Sequence, residues 1–360
     1  MKAYTQIPPG TQILIGRAAR RRRVLERAIC SVFEGWSYEE IIPPLFDYYD
    51  VFAKGMGSGQ EDQIYRFIDR EGNILALRPE FTSLVAKTVA TRLASSPKPI
   101  RLFYSGEVLR FEKTKGGRQR EFAQIGVEHY GGAHKTADVE ILLIAVETLQ
   151  RLGIQGFQIN LGSVDFFGGI VDRMELPEEQ INALKEVLNI KDQRGLETLL
   201  QKLPLEERRK KILRAVPHLT GGKAVIAEAR SLVKNPRSVE ALDHLEEIHS
   251  IFEKLDLAQH LTIDLGEIRG FDYYTGILCR AYVRDLGFEV ASGGRYDGLP
   301  AAFGEDVPAV GFTFILDRLE QIATPTLDMS AGEVTAINVD QGFEKALQLR
   351  QSGKAVRLCL

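Results

Sequence analysis

Residues 108–126, VLRFEKTKGGRQREFAQIG, set the reading of the whole chain. An alternating run enters a loop dense in Lys, Arg and Gly, and a second alternating run leaves it. Alternation sends successive side chains to opposite faces of a strand, so Arg110 and Glu112 share one face and Gln124 lies on the returning strand. Arg118 and Arg120 leave the Gly116-Gly117 turn with the same spacing. A planar guanidinium suits carboxylate or phosphate better than an ammonium does. The loop is either an anion clamp or a solvated hairpin tip.

Bulk properties narrow the explanation. The chain has 360 residues, 44% of them hydrophobic and 26% charged, with a formal net charge of -3. That balance creates no global field toward nucleic acid or a membrane, so anion binding must come from local clusters. The length suits two or three domains. Cys30, Cys279 and Cys359 are scattered without metal-ligand spacing, which favours a reducing, cytoplasmic setting with no disulfide. His244 and His249 lie five apart on an apparent helix, on the wrong faces to chelate, so neither a metal nor a cofactor is expected. The N-terminus lacks a leader pattern, and no apolar run approaches the roughly 18 residues of a membrane span.

Toward the N-terminus, Val24, Ile29, Val32 and Phe33 give residues 18–36 a helical period, with the run from Arg20 to Arg23 as a solvated face. In YEEIIPPLFDYYDVF, residues 38–52, Pro43 and Pro44 interrupt an apolar stretch, which suggests an edge strand leading into a turn. Residues 63–81 alternate on both sides of Glu71-Gly72-Asn73, a hairpin signal. Residues 84–93 and 138–152 read as helices. Residues 170–258 are almost wholly helical in pattern, an insertion bounded by strand texture, with Pro177, Pro204 and Pro217 at breaks. After a linker at 323–332 the tail reads strand, helix, strand, a short βαβ-like unit over 331–360.

Three more clusters carry chemistry. Glu80 in LRPEFT stands just before a helix, where a carboxylate is either a cap and dipole partner or a receiver for a ligand ammonium. In IRGFDYYTG, residues 268–276, Arg269 and Asp272 precede Tyr273 and Tyr274. Adjacent tyrosines on a strand face opposite ways, so one should be core and one should line a pocket. In ASGGRYDGL the Gly293-Gly294 pair admits a close backbone approach and Arg295 follows. Together the clusters suggest a sheet floor that binds an anionic, amine-bearing small molecule.

These stretches, with GVEHYGG and VPAVGFTFILDRL in this order, resemble the class II histidyl-tRNA synthetase core over about residues 5–322. The resemblance implies an α+β fold, an antiparallel sheet flanked by helices, as a core over residues 1–325 with the insertion inside it. It implies that Glu80, Thr82, Arg110, Gln124, Glu128, Arg269, Tyr273 and Tyr274 surround histidine, with Arg110 also on the ATP α-phosphate. Glu112 and Arg318 fall in the nucleotide motifs. The third motif departs from the family, with Ile315 at its inner glycine and Asp317 at its glutamate. A branched side chain where adenine approaches costs on the order of 1–3 kcal/mol. Only a short tail follows, in place of an anticodon-binding domain.

YRFIDREGNILALRPEFT, YSGEVLRFE, GRQREFAQIGVEHYGG and KDQRGLETLL look more like the synthetase paralogue that serves as regulatory subunit of ATP phosphoribosyltransferase. That resemblance implies a non-catalytic protein with a vestigial nucleotide site at Glu112, Ile315 and Arg318. It also implies assembly as a hetero-octamer with short-form catalytic subunits in the first step of histidine biosynthesis, and L-histidine as feedback ligand. Self-dimerisation is expected around residues 45–56, with no membrane or nucleic-acid partner. The alternative is an enzyme that activates histidine with ATP.

Overall fold

Alternation around the basic loop builds two ten-residue strands, paired antiparallel from Ile100 opposite Tyr130 to Leu109 opposite Glu121. The computed structural model describes residues 5–56, 61–111, 119–132, 134–172, 174–268, 273–284, 286–323, 334–338 and 343–359. Glu112, Arg118, Arg269, Asp272 and most of the linker at 323–332 lie outside the described residues.

The chain opens with α1 (Arg17–Gly35), β1 (Glu39–Glu40), β2 (Phe46–Tyr48), α2 (Tyr49–Met56), β3 (Arg66–Ile68), β4 (Ile74–Leu77) and α3 (Thr82–Arg92). The long pair follows as β5 (Ile100–Leu109) and β6 (Glu121–Tyr130), then α4 (His134–Arg151) and β7 (Phe157–Ser163). A helical stretch comprises α5 (Val164–Val171), α6 (Glu178–Asn189), α7 (Gln193–Lys202), α8 (Glu207–Ala215), the short β8 (Thr220–Gly221), α9 (Ala224–Leu232) and α10 (Pro236–Lys254). Strands return as β9 (Leu261–Asp264), β10 (Ile277–Val283) and β11 (Ala291–Arg295), then α11 (Gly298–Ala301), β12 (Ala309–Ile315) and α12 (Leu316–Ile322). The tail holds β13 (Val334–Asn338), α13 (Phe343–Gln351) and β14 (Ala355–Cys359), its two strands parallel.

Nine strands form one sheet in the order β1-β5-β6-β12-β11-β10-β7-β9-β8. Its pairs are antiparallel except β1 with β5 and β7 with β9, so the sheet is mixed at both flanks and antiparallel through its middle. One face of the middle is apolar: Phe103, Ile125, Val127, Phe312 and Phe314 pack with Leu25, Ile29, Val32 and Phe33 of α1 and with α4. Each such side chain contributes about 1.5–3 kcal/mol on full burial. The opposite face is the one left for chemistry.

Two expectations need correction. The arginine run on α1 is not wholly solvated, because Arg22 is buried and bonds Asp317 at 2.6 Å and Glu320 at 2.5 Å. Its charge is held by carboxylates of α12, nearly three hundred residues away in sequence, which local pattern cannot reveal. The stretch 38–52 does supply edge strands, β1 of the large sheet and β2 of a small one, but β2 leads into a helix rather than a turn. Three residues of β2 run straight into α2, because Val51, Phe52 and Met56 form an apolar face that packs on Ile64, Ala76 and Leu84. The three-stranded sheet β2-β4-β3 that results leaves Phe46, Tyr48, Phe67, Ile68 and Ile74 exposed.

Candidate ligand-binding site

Register assigns the floor of the site. Gln124, Gly126 and Glu128 of β6 stand opposite Ile315, Thr313 and Gly311 of β12, and opposite Gly106, Tyr104 and Leu102 of β5. Thr313 and Gly311 stand opposite Ser292 and Gly294 of β11, and these oppose Arg280 and Leu278 of β10. All therefore share one face. Glycine holds several of these positions because neighbours have taken the space. A Cβ on Gly311 would lie 1.6 Å from Glu128 Oε2, and one on Gly126 would lie 2.7 Å from the Tyr104 hydroxyl. A cavity of about 1170 Å³ opens above this floor.

Glu80, Thr82, Arg110, Gln124, Glu128, Tyr273, Tyr274, Ile315 and Arg318 all line the cavity. Glu112 and Arg269 cannot be placed, lying outside the described residues. Glu80 is buried, and both carboxylate oxygens accept from the Ser83 amide at 3.1 Å. It thus performs the helix-start role and faces the cavity as well, so the two readings of this residue are compatible. Burial pushes its carboxyl above the ordinary range, against the bonds from Ser83 and the charge of Arg110.

Glu128 is buried in a polar and aromatic box. Thr82 Oγ1 donates to it at 2.8 Å, and the Tyr296 hydroxyl donates to its other oxygen. Burial raises its pKa to about 8, the nearby Glu80 adding to the shift and the hydroxyl donors opposing it. At neutral pH the site therefore holds Glu128 mainly as an acid, able to donate as well as accept. Tyr273 and Tyr274 are not on a strand. They precede β10, their ring centroids are 4.8 Å apart and both line the cavity, so neither is plain core. Sequence reasoning missed Tyr104 and Tyr296, which complete the box. For Tyr104 the signal was the glycine opposite, Gly126, across β5 and β6, and Tyr296 had no such mark.

Arg110 donates Nε to the Pro79 carbonyl at 2.7 Å, with its guanidinium 5.4 Å from the Phe122 ring. Arg120 points elsewhere, its guanidinium 4.8 Å from the Phe111 ring. Arg295, grouped above with the floor, belongs to the other face. It bonds buried Asp138, which also lies 2.7 Å from His244 Nε2. Adjacent strand residues face opposite ways, so Gly294 on the floor puts Arg295 beneath it.

The Ile315 end of the cavity is cationic but internally matched. Arg318 meets Glu289 at 3.1 Å and the Glu289 carbonyl at 2.5 Å, its guanidinium 5.0 Å from the Phe288 ring. Arg280 lies 3.8 Å from the same Glu289 oxygen and 3.1 Å from Glu267. Burial pushes the Glu289 carboxyl up, but Arg318 and Arg280 outweigh it and hold it below the usual carboxylate range. Asp317 is structural: it accepts from the Ala123 amide at 2.7 Å and from Arg22. Among the described residues no helix is long and apolar enough to cross a membrane, and no group of three His, Cys, Asp or Glu could hold a metal.

With the geometry in place, comparison with known proteins identifies the chain's relatives. The family model described as Histidyl-tRNA synthetase matches residues 10–319. A protein of Syntrophotalea carbinolica named ATP phosphoribosyltransferase regulatory subunit is 39% identical over 90% of this chain and 76% of its own length. One of the same name from Moorella thermoacetica is 38% identical over 98% of this chain and 92% of its own. A crystal structure from Bacillus halodurans, titled an ATP phosphoribosyltransferase regulatory subunit/histidyl-tRNA synthetase, superposes with a TM-score of 0.89 at 26% identity, covering 99% of this chain and 93% of that one. The chain therefore has the class II histidyl-tRNA synthetase fold and belongs to the ATP phosphoribosyltransferase regulatory subunit family.

Proposed function

We propose that this chain binds L-histidine in the cavity, carries no catalysis of its own, and conveys histidine feedback to a short-form ATP phosphoribosyltransferase catalytic subunit in the cytoplasm. The observation that carries the reading is the pair of buried carboxylates, Glu80 and Glu128, set among tyrosines with Arg110 on the same cavity. A free amino acid presents an ammonium, a carboxylate and a side chain, and histidine's side chain both donates and accepts. Glu80 receives the ammonium, Arg110 and Gln124 the carboxylate, and Glu128 with Thr82, Tyr273 and Tyr274 the imidazole. Arg269 joins them from outside the described residues.

Feedback requires histidine to favour one state of the assembly, and a coupling of about 1–3 kcal/mol suffices for a several-fold to hundredfold effect on the partner. The assembly is a hetero-octamer of four subunits of each kind. This chain meets its own copy around residues 45–56, where exposed Leu45, Phe46 and Tyr48 adjoin exposed Phe67 and Ile74 of the same small sheet. The core over 1–325, its insertion at 170–258 and the βαβ-like tail over 331–360 are its working units.

The test is calorimetric titration with histidine, beside an assay of a short-form catalytic chain with and without this protein. Histidine should bind, and the catalytic chain should need its partner to be active. A catalytic chain fully active alone would contradict the regulatory role, and histidine-dependent ATP–pyrophosphate exchange by this chain would overturn the reading in favour of a histidine-activating enzyme.

A further inference from the structure

Glu289 sits where a bound anion would be expected. Arg280 from β10 and Arg318 from α12 both line the cavity and converge on one carboxylate oxygen, at 3.8 and 3.1 Å. The Glu289 main chain takes part too, its carbonyl accepting from Arg318. Arg280 is further matched by Glu267, and Phe288 lies against the Arg318 guanidinium. This group lies at the Ile315 end of the floor, since Arg318 follows Ile315 by three residues and Ser292, opposite Arg280, is also opposite Thr313. The Arg318 and Glu289 side chains are 29% and 28% exposed, so solvent and solutes reach the pair.

We propose that Glu289 is a specificity-determining residue, the internal counter-anion of Arg280 and Arg318, which closes this end of the cavity to phosphate-bearing ligands. Two guanidiniums on a cavity wall make a site for a di- or triphosphate. A carboxylate already between them supplies the same charge and geometry, and it repels a second anion that would have to share the donors. The exclusion is by charge and acts on the phosphates, whereas Ile315 acts by bulk on the opposite, planar part of a nucleotide. Either barrier suffices without the other. The inference deepens the reading of the cavity as a histidine site, because it explains how the pocket takes an amino acid without a nucleotide. It does not depend on that reading for its test.

The experiment titrates the full chain, at low ionic strength where exposed charges are least screened, with inorganic tripolyphosphate and separately with histidine. Wild type, Glu289→Gln and Glu289→Asp are compared, with Glu289→Gln combined with Arg318→Ala as the control for location. Glu289→Gln should gain at least tenfold in tripolyphosphate affinity, the combined variant should lose that gain, and histidine affinity should stay as in wild type. Glu289→Asp, which keeps the charge but withdraws it by one methylene, should gain less and serves if the glutamine variant does not fold. Equal tripolyphosphate affinity in wild type and the folded Glu289 variants overturns the proposal. So does a gain that survives loss of Arg318. A gain without any histidine binding sustains it while removing the histidine reading.

Discussion

Gly311 and Ile315 lie on one strand and face one cavity, four residues or roughly 13 Å apart at the usual strand rise. Around Gly311 the protein has suppressed charge: burial pushes Glu128 up to about 8, and its partners are hydroxyls. Around Ile315 it has kept charge and cancelled it, with Glu289 against Arg280 and Arg318. The first arrangement offers an incoming ligand a polar, desolvated surface that improves on meeting a cation or imidazole. The second has its strongest interactions already made, so a ligand must displace one to gain another. A sheet floor shared by both ends can thus keep one function and close another by a few side chains.

The contrast is most severely tested at Gly311. Its Cβ would fall on Glu128, and the carboxyl is fixed by Thr82 and Tyr296. Gly311→Ala should lower histidine affinity at least a hundredfold, about 2.7 kcal/mol, and cost about 1–3 kcal/mol of stability through overpacking. Calorimetry and thermal melts measure the two. Unchanged histidine binding in a folded variant would separate Glu128 from the ligand. Glu80→Ala should come next, removing a charged partner worth about 1.5–3 kcal/mol in binding and a helix-start acceptor worth about 1 kcal/mol. Stability loss without a drop in histidine affinity would reduce Glu80 to its capping role.

How much of this was legible follows from where the partners lie. Alternation fixed the long strands and the faces of Arg110 and Gln124, because the period of two is written in contiguous residues. Gly311 and Gly126 were visible, but a glycine in a strand does not say which side chain fills its space. Only pairing showed that these were Glu128 and Tyr104. Arg22 and Glu289 escaped notice for a related reason. Their counter-charges come from α12 and from α12 with β10, so nothing beside them in sequence marks them as other than surface ions. Arg295 was open to correction from sequence, since a floor glycine at 294 already implied its burial on the other face.

Protonation of Glu128 gives a smaller but direct reading of the suppressed-charge end. A carboxyl raised in the folded state binds its proton more tightly there than in the unfolded chain, so it stabilises fully at acid pH. That contribution is lost as pH rises from its ordinary value of 4.5 through about 8. Between pH 7 and pH 8, wild type should lose about 1 kcal/mol more stability than Glu128→Gln, given about 1.4 kcal/mol per unit at full proton difference. Denaturant titrations at the two pH values measure the difference. Parallel losses in both proteins would show that Glu128 is ionised in the folded state and that the two ends do not differ as described.

The least change in ligand affinity is expected where bulk alone is removed. Ile315→Gly clears the space above Gln124 and trims one partly buried side chain, at a stability cost of about 2–4 kcal/mol from lost packing and strand flexibility. It leaves Glu289 between the arginines, so ATP affinity should rise by less than about threefold, under 0.7 kcal/mol. Histidine affinity should change by less than about threefold, because Glu128 and Gly311 lie at the other end and Gln124 is the one proposed histidine contact opposite position 315. Combining Ile315→Gly with Glu289→Gln should then raise ATP affinity by more than the product of the two single effects, since planar ring and phosphates could enter together. Strong ATP binding by Ile315→Gly alone would mean that bulk, and not the internal carboxylate, keeps nucleotide out.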